Sequence, residues 1–136
     1  IQRGGDQLKI IGVENWGNGR FKKKGDLDLA AKDIDPDSFK ILLSHDPSHW
    51  NDIAKDHKSN CQLTLSGHTH GMQFGIEIPG FLKWSPAQYR YPQWAGVYDF
   101  AKRKVNVNRG FGFLAYPGRV GIMPEITVIT LKKGKA

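Results

Sequence analysis

Cys61-Gln62-Leu63-Thr64-Leu65-Ser66-Gly67-His68-Thr69-His70-Gly71 is the stretch whose reading decides the fold. Its first five residues are short, apolar and rich in strand formers, so they predict a buried strand. Ser66 and Gly67 end that strand. Two histidines at i and i+2 follow on a loop, and Gly71 lets the backbone turn tightly behind them. A loop flanked by glycine can aim both rings at one centre. As surface histidines in a turn they need no explanation. The strand before them and the glycines on either side point instead to a metal site, because neutral imidazole is the commonest metal ligand.

A second strand is predicted upstream, Phe39-Lys40-Ile41-Leu42-Leu43, with an apolar run long enough to be buried. It ends at Ser44-His45-Asp46-Pro47. A helix is predicted to start at Pro47-Ser48, with Ser48 as its cap and Trp50, Ile53 and Ala54 on its buried side. Strand, helix and strand from Phe39 to Leu65 make one βαβ unit. That unit places His45 and His68 at the same end of neighbouring strands, the C-terminal end where open α/β sheets bind ligands.

These residues carry a resemblance. Gly67-His68-Thr69-His70-Gly71, with Gln73 beyond, resembles the last motif of the calcineurin-like metallophosphoesterases. Ile41-Leu42-Leu43-Ser44-His45-Asp46-Pro47 resembles the strand and His-x-Pro motif that supplies another metal ligand there. Met72 departs from the pattern, standing where a second glycine is common. The family's earlier motifs, Asp-x-His, Gly-Asp-x-x-Asp and Gly-Asn-His-Asp/Glu, are not found; Gly25-Asp26-Leu27-Asp28 is a superficial likeness with no strand before it. The chain also starts at Ile1. The expectation is therefore one α/β domain fragment over residues 1–136, the C-terminal half of a two-sheet sandwich. It would hold one βαβ unit followed by mainly antiparallel strands.

The resemblance implies a phosphomonoester or phosphodiester hydrolase with two divalent ions about 3.5 Å apart, which clamp the phosphate and acidify the attacking water. Carried over by motif, His45 and His68 bind one ion and His70 the other. The bridging aspartate and the histidine that protonates the leaving group are expected upstream of Ile1, so the chain alone is expected to be inert. Imidazoles without carboxylates suit Zn or Ni better than Mn or Fe, and the native metal stays open among these four. Asp46 is either an imidazole-orienting carboxylate or a helix cap. Asn108-Arg109-Gly110-Phe111-Gly112 resembles a segment found late in one bacterial branch of the family. Arg109 is then a phosphate contact or an arginine that ties its loop. Trp84 and Gln73 are further candidates for the substrate side. His49 and His57 are read as surface residues. Members of that branch often carry membrane anchors and some act on lipid-linked phosphates, so the whole protein is expected in the cytoplasm or anchored to a membrane.

Composition adds bounds. The chain has 136 residues and a net charge of +7. That charge suits an anionic partner, but it is scattered, with clusters at 20–24, 102–104 and 132–135 that read as solvated turns and ends. Nucleic acid is disfavoured, since no binding motif accompanies the charge. The single cysteine, Cys61, excludes an internal disulfide and reads as a core thiol. No stretch approaches the ~18 apolar residues of a membrane span.

Further strands are expected at Gln7–Val13, after a Gly4-Gly5 turn, at Ala95–Phe100, at Lys104–Asn108 and at Ile126–Leu131. A helix is expected over Asp26–Lys32 with Asp26 as cap, and an ordered aromatic loop over Phe81–Trp94. The loop would plug the sheet end or line a substrate groove. Trp16 folds onto the core or reaches substrate. A sheet with one uncovered face is expected to make the fragment self-associate. The rival from another class is a non-catalytic module of the same fold that binds a metal or an anion.

Overall fold

The computed structural model describes residues 1–17 and 22–134. Arg20, Phe21 and Lys135, members of two of the basic clusters, lie outside the described residues. The strands are β1 (Gln2–Arg3), β2 (Asp6–Gly12), β3 (Phe39–Leu43), β4 (Leu63–Ser66), β5 (Ile76–Ile78), β6 (Leu82–Trp84), β7 (Gly96–Phe100) and β8 (Arg103–Val107). Six of them form one sheet in the order β1-β2-β3-β4-β8-β7, and β5 and β6 form a separate hairpin. Within the large sheet β2, β3, β4 and β8 run parallel, while β1 and β7 are antiparallel edges. The fold is mixed α/β with few helices. As read from sequence, the strands of the second half pair with one another antiparallel, β5 with β6 and β7 with β8, while β8 also docks parallel on β4. The excursion through residues 67–95 brings the chain back level with Ser66, and β7 then carries it to the other end of the sheet, so that β8 runs in the direction of β4.

Ile11, Leu42, Thr64 and Val105 stand opposite one another across the parallel strands and make the covered face. Leu27, Trp50, Ala54 and Cys61 close over it, and Leu42 and Val105 are fully buried. Leu27 comes from α1 (Leu27–Ala30), one turn whose cap, Asp26, accepts the Leu29 N–H at 2.8 Å. Trp50 and Ala54 come from a widened helical turn over Trp50–Ala54, where the Lys55 N–H reaches back to the Trp50 carbonyl at 3.1 Å. The opposite face is apolar and partly open: Ile10 is 50%, Leu43 44% and Val97 59% exposed, while Ile41 and Leu63 at its centre are buried.

Three further expectations need correction. Residues 126–131 form no strand among the described residues, and Val128 is 88% exposed; the segment alternates well but has no neighbour to pair with. The stretch Phe81–Trp94 is more regular than a loop, for it contains β6 and a helical turn over Pro86–Tyr89 capped by the Ser85 hydroxyl. His49 is not a surface residue. It is fully buried, with Nδ1 2.8 Å from Ser44 Oγ and its ring against Trp16. Trp16 itself folds inward and donates its indole N–H to Asp52 at 2.8 Å.

Candidate metal centre

The site lies at the C-terminal tips of β3, β4 and β8, which backbone bonds lash together. Ser44 N–H donates to Leu65 at 3.0 Å, Gly67 N–H to His45 at 3.0 Å, and Asn108 N–H to Ser66 at 2.8 Å. His45 follows β3 and His68 follows β4. Their rings meet: His68 Nδ1 is 3.3 Å from His45 Nε2, with the rings nearly edge to face. Two nitrogens each about 2.1 Å from one ion, at octahedral to tetrahedral angles, would lie about 3.0–3.4 Å apart. The observed separation fits two ligands of one ion.

Burial pushes the His68 imidazole below the usual histidine range, with His45 and His70 adding to the effect and Asp46 opposing it. Burial does the same to His70, helped by Arg119 and His45 and opposed by the Gly112 backbone. Both shifts keep the rings neutral near pH 7, the form that binds metal. His70 stands apart from the pair. Its Nδ1 is buried without a partner among the described residues, and among those residues no three His, Cys, Asp or Glu side chains converge on one point.

The loop holding both ring systems is gripped by polar side chains. Thr69 Oγ1 donates to the Trp94 carbonyl at 2.7 Å, Ser85 Oγ to the Gly71 carbonyl at 2.7 Å, and Arg119 to the His70 carbonyl at 3.1 Å. Gln73 turns inward, accepting from the Leu114 N–H and donating to the Gly118 carbonyl at 2.6 Å. Asp46 is buried; its Oδ1 takes the Ser48 N–H and hydroxyl at 2.8 and 2.7 Å, and its Oδ2 has no partner among the described residues. It rather than Ser48 thus caps the turn that follows. Arg109 donates to Glu77 at 2.6 Å and Glu125 at 3.0 Å with a side chain only 10% exposed. Of the two arrangements open to it, this is the loop-tying one. Trp84 packs edge to face on Phe74. Tyr91, undistinguished in the sequence among its aromatic neighbours, places its hydroxyl 2.7 Å from His68 Nε2.

Comparison with known proteins agrees with the motifs. The chain is 38% identical over 128 residues to "Uncharacterized metallophosphoesterase YkuE" of Bacillus subtilis, covering 94% of this chain and 42% of that protein. It is 36% identical over 95 residues to "Transmembrane protein with metallophosphoesterase domain" of Danio rerio, covering 68% and 20%. It is 32% identical over 92 residues to "Phosphodiesterase YaeI" of Escherichia coli, covering 68% and 32%. The chain belongs to the metallophosphoesterase family, and it spans less than half the length of these curated relatives. No family profile and no solved structure matches it. The family implies divalent metal ions without identifying them.

Proposed function

We propose that this chain is the C-terminal part of a calcineurin-like metallophosphoesterase domain, one half of a two-sheet sandwich. The whole protein would hydrolyse a phosphomonoester or phosphodiester, in a small molecule or a lipid-linked phosphate. His45 and His68 hold one divalent ion and His70 a second. Bound ions would supply the Lewis acidity that polarises phosphate oxygens. The chain's own residues present neutral imidazoles and keep them in place. Gln73 and Arg109 serve by fixing the loops around the site, Trp84 stands on the substrate side, and Asp46 sets the start of the turn behind His45. The observation that carries this reading is the 3.3 Å approach of His45 Nε2 to His68 Nδ1.

A second reading, a metal- or anion-binding module without catalysis, draws on the separate position of His70 and the absence of a third converging ligand among the described residues. Mn-dependent hydrolysis of a chromogenic phosphodiester separates the two. The assay compares this chain with the longest protein encoded by its reading frame. Turnover by the long protein only, lost in its His68→Ala variant, is the expected result. No turnover by either would favour the module.

A further inference from the structure

Tyr91 closes a chain of contacts that ends on a candidate ligand. Its hydroxyl is 2.7 Å from His68 Nε2, and the two rings pack edge to face, with centroids 5.2 Å apart at 86°. The other nitrogen of the same imidazole, Nδ1, faces His45 Nε2 at 3.3 Å. The tyrosine is itself held. Its backbone N–H donates to Ala87 at 2.8 Å, and its ring packs on the buried cluster of Ala87, Trp94 and Ala95. Trp94 in turn accepts from Thr69, the residue between the two histidines of the loop.

We propose that Tyr91 is the positioning residue for His68, holding Nε2 so that Nδ1 is the nitrogen presented to the ion. The inference rests on the metal-centre reading above. A neutral imidazole carries one proton and one lone pair. With the lone pair of Nδ1 given to an ion, the ring proton must sit on Nε2, which then donates to the Tyr91 oxygen. In the metal-free chain a proton on Nδ1 can bridge to His45, and the Tyr91 hydroxyl then donates to Nε2. A phenol serves both arrangements because it donates and accepts. Metal-bound histidines almost always have such a partner on the second nitrogen, and its loss typically weakens metal affinity about 10- to 100-fold.

The test is Tyr91→Phe, which keeps the ring packing and removes only the hydroxyl. Zn(II) affinity of the 136-residue chain is measured by chelator competition, with Tyr89→Phe as a control from the same turn that is 80% exposed. The expected result is about 10- to 100-fold weaker binding in Tyr91→Phe, with Tyr89→Phe unchanged. Nitrogen-15 shifts of the His68 ring, read without metal at pH 8, should also move in Tyr91→Phe. Wild-type affinity in Tyr91→Phe, alongside lost binding in His68→Ala, would overturn the proposal. If wild type and His68→Ala take up Zn(II) alike, the metal-centre reading fails on its own, and the ring shifts decide. Shifts unchanged by Tyr91→Phe then overturn the role of Tyr91, and shifts that move support its hold on the ring.

Discussion

Arg109 offers a sharp trial of how this chain is held together. Its guanidinium, 10% exposed, spans Glu77 and Glu125, whose side chains are 28% and 22% exposed. Arg109→Met keeps the length and removes the charge, leaving two largely buried carboxylates beside an apolar chain. Stranding one buried charge costs about 3–5 kcal/mol. Here both acids retain some contact with water and can recover part of their hydration, so the expected loss is about 2–3 kcal/mol. For a chain of this size that is a fall in thermal midpoint of roughly 6–12 °C. The penalty should shrink in acid. The Glu125 carboxyl is opposed by burial, but bonds from Thr127 and Arg109 hold it below its ordinary value of 4.5. Its contribution is therefore complete above 4.5 and lost as pH falls through the lowered value. Urea titrations of wild type, Arg109→Met, Glu77→Gln and the double variant would measure the coupling. A destabilisation below about 0.5 kcal/mol at pH 7, with weaker binding of inorganic phosphate, would refute this account and make Arg109 an anion contact.

Other substitutions address the site loop, the core and the open face. Met72 sits at φ 48° and is 48% exposed, so Met72→Gly should leave stability unchanged or raise it by up to about 1 kcal/mol; a loss in urea titration would count against strain there. Burial lowers the pKa of His49 from 6.5, as it does for His68 and His70. Stability should be full above pH 6.5 and decline as pH falls through the lowered values, and an unchanged slope in His49→Gln between pH 6.5 and 5 would exclude His49 from that decline. Leu42→Ala, at a fully buried position mid-sheet, should cost about 2–5 kcal/mol, read as the shift in urea midpoint. The open face predicts concentration-dependent light scattering that Ile10→Lys with Leu43→Lys reduces; a clean wild-type monomer at high concentration would dismiss it.

The parallel pairing of β3 and β4 was legible because the two apolar runs flank a helical segment, whereas the direction of β8 depends on β7, which turns the chain before it. The same unit brings His45 and His68 together, because a βαβ connection sets its strand ends side by side. What failed depended on partners that sequence does not display. Ile126–Leu131 alternates as a strand should, but strand formation is half-supplied by a neighbour, and none stands beside it among the described residues. Polarity suggests exposure for His49, yet its ring lies buried, with Ser44 Oγ on the preceding strand end bonding Nδ1 while Nε2 has no partner among the described residues. Ser85-Pro86 did carry a readable signal for the helical turn, a capping serine before proline. Tyr91 carried none, since one tyrosine among five nearby aromatics is distinguished only by where its hydroxyl lands.

Backbone strain is concentrated where the candidate ligands are. Between positions 68 and 73 only Thr69 has an ordinary backbone, with φ at −68°. His68, His70, Gly71, Met72 and Gln73 all have positive φ, between 48° and 68°. Glycine takes that conformation without strain, but each of the other four costs about 1–2 kcal/mol, so the segment carries a penalty of roughly 4–8 kcal/mol. Sheet formation cannot supply this, because the segment lies beyond β4. The grips on the loop do: Thr69 on Trp94, Ser85 on Gly71, Arg119 on His70, and Gln73 on Leu114 and Gly118. At about 1 kcal/mol for each hydrogen bond, these are of the size needed. A Cβ on Gly71 would lie 2.7 Å from Ile122 Cδ1, so even the unstrained position is packed against. A turn with no task would relax or take glycine at all these positions. This one holds two histidines in a costly geometry and commits its own Thr69 and Gln73, with Ser85 and Arg119 from two other segments, to keeping them there, the kind of stored strain that clusters at functional sites.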